Sequence, residues 1–160
     1  MLYLALKTLH IFAVVMFFGN IATGVFWKEH ADRTRDPRII AHVIAGIILS
    51  DRLFTVPGVL LITIAGIGGA MVGGLPLLRT GWVFWGIVLF ALSGVTFMAW
   101  VAPLQKRMLK LMRAGAESGS PNWAEYHKLS RAWALSGAVA LLLVLAVLVL
   151  MVVKPPMRGL

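Results

Sequence analysis

The chain has 160 residues, of which 60% are hydrophobic, and it carries 15 Lys and Arg against 6 Asp and Glu. This apolar share exceeds that of soluble domains, which is about half, and a chain of this length cannot enclose so much apolar surface. The composition therefore predicts an integral protein of the inner (plasma) membrane, embedded in the lipid bilayer. The absence of cysteine excludes disulfides, thiolate metal sites and thiol catalysis. The basic residues cluster at the ends of apolar stretches, as membrane topology requires, which argues against nucleic-acid binding.

The first apolar stretch contains the first candidate site residue. Residues 8–27 include no formally charged side chain, and His10 is their only titratable group. About 20 apolar residues in a helix are enough to cross the hydrocarbon core of a bilayer. An ionisable residue inside such a span is expensive, so it marks a function or faces a protein partner. In the same span, Asn20 is expected to hydrogen-bond to a neighbouring helix. A short polar loop is predicted to begin at Lys28.

The second span follows a clear helix start. Asp36 is the expected N-cap and Pro37 occupies the first turn. The helix that begins there either lies along the cytoplasmic surface or extends the second span. No charge occurs between Arg52 and Arg79, so the second span falls within residues 53–78. Pro57 lacks an amide proton, which predicts a kink.

The second half of the chain repeats this alternation of apolar and basic segments. The third span is expected at residues 81–105 and continues as a basic surface helix from Lys106 to Arg113. Asn122, with Glu125 three residues later, resembles a capping box before the fourth span, residues 132–153. With the first span at about residues 3–27, the predicted fold is all-α. It is a four-helix transmembrane bundle in one domain, residues 1–160, with a short cytoplasmic helix or helical extension before the second span.

The distribution of basic residues predicts the orientation of this bundle. Four spans place both termini and the Arg79 turn on one side, which holds Lys7, Arg79, Lys154 and Arg158. The opposite side holds Lys28, Arg33, Arg35, Arg38, Arg52, Lys106, Arg107, Lys110, Arg113, Lys128 and Arg131. Since basic residues favour the cytoplasmic side, the two longer loops are expected to be cytoplasmic and both termini outside.

His10 then lies about 12 Å below the outer edge of the first span, by helical rise. In one interpretation it hydrogen-bonds a backbone carbonyl or an Asn, Ser or Thr side chain inside the bundle, while Lys7 extends to the surface. In the other, it ligates a haem iron or a metal ion, with Lys7 near an acidic group of the ligand. Both interpretations remain open from the residues alone.

Depth in the membrane limits which other residues could ligate a metal ion together with His10. The other histidines belong to the cytoplasmic side, about 25 Å or more from His10, where His30, His42 and His127 are expected to be solvated. A second ligand would therefore be solvent or the thioether of Met71 or Met151. A copper(I) site of His10 with one or two of these methionines fits the same geometry. Arg52 is either a positive-inside anchor or a bidentate partner for a carboxylate.

Four short segments suggest a family. They are Lys7-Thr8-Leu9-His10 at the start of the first span, His30-Ala31 after it, Arg52 five residues before Pro57, and the closing Val152-Val153-Lys154-Pro155. In these segments the chain resembles the small four-helix HemJ-type protoporphyrinogen oxidases and the CopD-type copper-resistance membrane domains. More closely, it is similar to the predicted integral membrane protein families grouped around them. It differs from HemJ in lacking a lysine within Trp82–Gly86 and a Tyr-His pair at Met98–Trp100.

The resemblance implies roles for three residues. His10 would ligate a b-type haem, His30 would form a second polar site, and Arg52 would contact a porphyrin carboxylate. A redox or porphyrin-related function, and if an enzyme then a HemJ-like oxidoreductase, would follow. The alternatives are a copper-handling component of the CopD kind and a non-catalytic accessory subunit whose basic surface binds anionic lipid or a partner. A homodimer or a membrane redox partner is a further expectation.

Overall fold

The computed structural model describes residues 1–160, and all its regular secondary structure is helical. The α-helices are α1 (Leu2–Thr34), α2 (Pro37–Ser50), α3 (Val56–Val72), α4 (Gly81–Thr96), α5 (Ala102–Ser118) and α6 (Trp123–Val153). A π-helical turn, Asp51–Thr55, joins α2 to α3, and a second one, Phe97–Val101, joins α4 to α5. The chain therefore forms four long helices, each long and apolar enough to cross a membrane. The predicted four-helix fold is confirmed.

The first two long helices are more extended than the sequence suggested. The predicted polar loop from Lys28 is wrong, because α1 continues to Thr34 and ends at Arg35, whose φ of 52° is left-handed. The Asp36 side chain accepts a hydrogen bond from the Arg38 amide at 2.8 Å, as expected of an N-cap. Since α2 runs directly into the π-helical turn and α3, it extends the second span and is not a separate surface helix.

Both π-helical turns stand just before a proline. In the first, the Val56 amide donates to the Asp51 carbonyl, five residues back, and Pro57 follows. In the second, the Ala102 amide donates to the Phe97 carbonyl, and Pro103 follows. Proline cannot donate to the helix and crowds the preceding turn, and an inserted residue relieves that conflict. The predicted disruption at Pro57 thus takes the form of a π-helical turn.

We name the two ends of the bundle by what they carry. The basic end holds the connections at residues 35–36 and 119–122, and the terminal end holds both termini and the connection at residues 73–80. In the terminal half, α1 packs against α3 and α4 packs against α6, whereas in the basic half α2 packs against α5. No Cα atom of α1 or α3 lies within 8 Å of one in α4 or α6. Large side chains fill the space between these helix pairs.

Two apolar clusters form the interior. The first, in the terminal half, consists of Ala13, Phe17, Ile62 and Val144, with Phe90 packed against it; we call it the apolar layer. The second lies in the basic half and consists of Ala31, Ile40, Ala41, Ile44, Met108, Met112 and Tyr126. Elsewhere the helices expose many leucines, valines and isoleucines, as lipid-facing surfaces do.

The last residues fold back over the terminal end. Thr80 and Arg158 form an antiparallel bridge, and the Leu160 amide donates to the Leu78 carbonyl at 2.8 Å. The Lys154 Nζ atom lies 5.3 Å from the centre of the Trp82 ring. These contacts hold the C-terminal segment against the connection between α3 and α4.

Candidate functional site

The side chain of His10, a residue of α1, lies against α3 and is half-buried. Its Nδ1 atom is 2.8 Å from the Ile62 carbonyl oxygen. Because a carbonyl can only accept, Nδ1 carries the proton, and in the neutral ring the Nε2 atom holds a free lone pair. The hydrogen bond to a backbone carbonyl that the first interpretation expects is therefore present, and it leaves the Nε2 atom free for the second interpretation. That bond also fixes the tautomer that a metal ligand needs.

Gly66 makes this position possible. It follows Ile62 by one helical turn, and a Cβ atom there would lie 2.9 Å from both Cε1 and Nδ1 of His10. Real Cβ contacts are essentially never that short, so any larger residue would force the ring to move. The glycine-rich part of α3 therefore receives the imidazole.

The two other polar residues predicted to bind a cofactor lie elsewhere. His30 is exposed near the basic end and stacks on Phe26, with ring centroids 6.2 Å apart. It stands 20 residues after His10 on the same helix, which is about 30 Å. Arg52 is exposed on the first π-helical turn, about 15 Å along the helix from Ile62.

The two methionines also lie away from the imidazole. Met71 is 64% exposed and lies about 13 Å beyond Ile62 along the helix. Met151 packs its terminal methyl against Gly86 of α4, and no Cα of α6 comes within 8 Å of one in α1. The structure has no group of three or more His, Cys, Asp or Glu side chains placed to hold a metal ion. His10 is thus a single candidate ligand.

A second polar group joins three of the four long helices; we call it the Asp51 network. Asn20 donates to Asp51 Oδ1 at 3.2 Å and to Thr55 Oγ1 at 2.9 Å. Thr55 donates to Asp51 Oδ1 at 2.8 Å, and Gln105 donates to Asp51 Oδ2 at 3.0 Å. Thr55 and Gln105 are each 5% exposed. The ion pairs of the structure lie elsewhere, so this carboxyl group is surrounded by neutral donors.

A third group, the Lys28 network, joins α1 to α6 at the basic end. Lys28 is 5% exposed, lies 2.6 Å from Asp32 Oδ2, and donates to Ser130. Its ammonium group also lies 5.7 Å from the Tyr126 ring centre and 5.3 Å from that of Trp133. Tyr126 donates to the other Asp32 oxygen.

Sequence reasoning missed most of these two networks. The predicted cross-helix hydrogen bond of Asn20 is confirmed, but its partner could not be named from one chain. Asp51 and Thr55 are four residues apart, as are Lys28 and Asp32, so each pair shares one helix face. That spacing is the signal that could have found them.

One of three comparisons with known proteins identifies a family. The family model described as "Predicted integral membrane protein (DUF2269)" matches residues 4–155. No curated protein and no solved structure matches the chain. The match supports a membrane protein and gives no support to the resemblance to HemJ or CopD.

Proposed function

The chain belongs to this DUF2269 family of predicted integral membrane proteins, and on that premise we propose that it is a haem-associated membrane protein. In this proposal the Nε2 atom of His10 would bind the iron of a b-type haem. The observation that carries it is the hydrogen bond from His10 Nδ1 to the Ile62 carbonyl. Histidines that bind metals commonly donate their other ring N–H to a carbonyl in this way, which fixes the ring and raises its basicity.

The residues around His10 fit such a ligand. Gly66 leaves the imidazole room beside α3, and Lys7, three residues earlier, is exposed on α1 within reach of an acidic group of the ligand. The apolar layer separates His10 from the polar groups of the basic half. A bound haem would supply one-electron redox chemistry, with a potential set by its axial ligand and surroundings.

The positions of the methionines favour haem over copper. A copper(I) site would need further soft ligands beside His10, and neither Met71 nor Met151 supplies one in this structure. For the same reason His10 would be the one side chain that holds the iron. The proposal includes an oxidoreductase activity of the HemJ kind. The only support for that activity is the resemblance of the segment Lys7–His10 to the HemJ family.

The orientation belongs to the same proposal. The basic end carries eleven of the 15 Lys and Arg residues, counting Arg52 at the end of its span, and such an excess favours the cytoplasm. Both termini, and with them the His10 half of the bundle, then face outward.

The test is the visible absorption spectrum of the protein purified in detergent from cells supplied with haem. A Soret band that is lost in His10→Ala and retained in His30→Ala supports haem ligation by His10. His30→Ala is the matched control, because it removes an exposed imidazole from the same helix. A band of equal intensity in His10→Ala would refute the ligand assignment. Bound copper without this absorbance would favour a CopD-like role. A protein that binds neither haem nor copper would favour the role of an accessory subunit.

A further inference from the structure

We propose that Asp51 is a reversible proton-binding site inside the bundle, which exchanges protons with water at the basic end. The reaction is the simplest one available: the carboxylate takes a proton from water to become a carboxylic acid and later returns it. The site is independent of any cofactor at His10. It stands on the position of Asp51 and on the groups that surround its carboxyl.

The position of Asp51 makes a permanent charge expensive. Asp51 lies where the apolar part of the second span begins. It stands 21 residues before the end of α3, about 32 Å from the terminal end by helical rise. A carboxylate in such surroundings has a large desolvation cost unless it is paired. No Lys, Arg or His pairs with it. Three neutral hydrogen bonds offset only part of that cost.

The donors around the carboxyl favour a proton over a metal cation. The amide groups of Asn20 and Gln105 present N–H to Asp51, and these would repel a metal ion. Thr55 can adapt, because a hydroxyl both donates and accepts. When Asp51 is protonated, the acid can donate to Thr55 Oγ1, and the amide donors can stay in place. The network therefore accommodates both protonation states without separating the helices.

Other charged groups around Asp51 are distant or exposed. Asn20 is its partner on α1, and the nearest inward charge of that helix, Lys28, lies about 12 Å further along and is paired with Asp32. On α2, His42 is exposed, and on the π-helical turn so is Arg52. The α3 segment contains no titratable side chain, and on α5 both Lys106 and Arg107 are exposed.

The route for the proton follows from the apolar layer. Asn20 lies about 15 Å from His10 along α1, and the buried Ala13 and Phe17 stand between them. Towards the basic end, the exposed Lys106 is next in sequence to Gln105. Protons therefore reach Asp51 from the basic end and are separated from the His10 half.

The test is labelling of the whole protein in liposomes with a hydrophobic carbodiimide, which reacts with protonated carboxylic acids in apolar surroundings. We expect a mass-spectrometric adduct at Asp51 that increases severalfold as the pH is lowered from mildly alkaline to mildly acidic. The adduct should be absent from Asp51→Asn, which keeps the shape of the side chain. It should persist in Glu117→Gln, the matched control, which removes an exposed acid of α5.

Two results would overturn the proposal. No adduct at Asp51 in the wild-type protein at any pH would overturn the proposal, because a carboxyl that takes up protons beside the apolar part of the span reacts with this reagent. Protection of Asp51 by sodium ions at constant pH would assign the site to a metal cation. Both measurements use the wild-type chain, so they do not depend on the folding of a variant.

Discussion

Two neighbouring ion pairs of α1 allow a direct measurement of how burial changes the contribution of an ion pair to the free energy of unfolding. Lys28–Asp32 and Glu29–Arg33 both join residues four apart, but the first is 2.6 Å long with side chains 7% and 22% exposed. The second is 3.7 Å long, with the Glu29 side chain 63% and the Arg33 side chain 74% exposed. We compare Lys28→Met with Arg33→Met, since methionine is unbranched and close to both residues in helix propensity.

The expected costs differ by several-fold. Lys28→Met removes the cation from Asp32, a hydrogen bond to Ser130 and the contacts with two aromatic rings. Breaking a buried pair costs about 3–5 kcal/mol, and we expect about 3 kcal/mol because Asp32 keeps some exposure and its bond from Tyr126. Arg33→Met removes an exposed pair, worth about 0.5 kcal/mol or less.

The assay is reversible unfolding in mixed micelles of a mild detergent and sodium dodecyl sulfate, which gives the free energy of unfolding for each variant. Adding Asp32→Asn to Lys28→Met should recover part of the loss, because it removes the unpaired charge and leaves an acceptor for Tyr126. Equal losses in the two single variants, or no loss in Lys28→Met, would refute the reasoning from burial.

Two further predictions follow from the site and the topology. Gly66→Ala places a methyl group against the His10 ring, so any Soret band should fall by at least half. The control is Gly46→Ala, which has no atom within 4 Å of its new methyl and should leave the band unchanged. A Soret band of equal intensity in both variants would contradict the close contact between Gly66 and the ring. Since the chain has no cysteine, Ser118→Cys and Leu78→Cys report the orientation. A membrane-impermeant maleimide added to intact cells should label Leu78→Cys alone, and labelling of Ser118→Cys alone would reverse the proposed topology.

The fold was largely predictable because apolar length and charge position are properties of one chain. Spans and helix starts follow from hydrophobic runs, from Asp36 with Pro37, and from Asn122, whose side chain accepts from the Glu125 amide at 3.1 Å. The extent of α1 was not predictable from polarity, because Lys28 and Asp32 are polar residues that α6 buries. Only the neighbouring helix distinguishes such a segment from a loop.

The candidate site was predictable in part for a similar reason. His10 stands out because it is the only titratable residue within residues 8–27, and a backbone carbonyl was among the partners expected for it. The Ile62 carbonyl and Gly66 could not be named, since the register between two packed helices depends on side chains from both. The same limit applies to the Asp51 network, where Asn20 and Gln105 approach from helices distant in sequence.

The two π-helical turns have a consequence for which residues can be inserted or removed. One extra residue turns the rest of a regular α-helix by about 100° about its axis, whereas a π-helical turn takes up that residue within one wider turn. The helix beyond the turn therefore keeps its facing: α2 and α3 both contact α1, and α4 and α5 both contact α6. Removing a single residue from Asp51–Thr55 should restore an ordinary helix and keep Ile62 beside His10, whereas removing one from the regular helix between Val56 and Ile62 should rotate the Ile62 carbonyl away. These two turns are therefore the places where the middle helices can lose a residue without misaligning the terminal half.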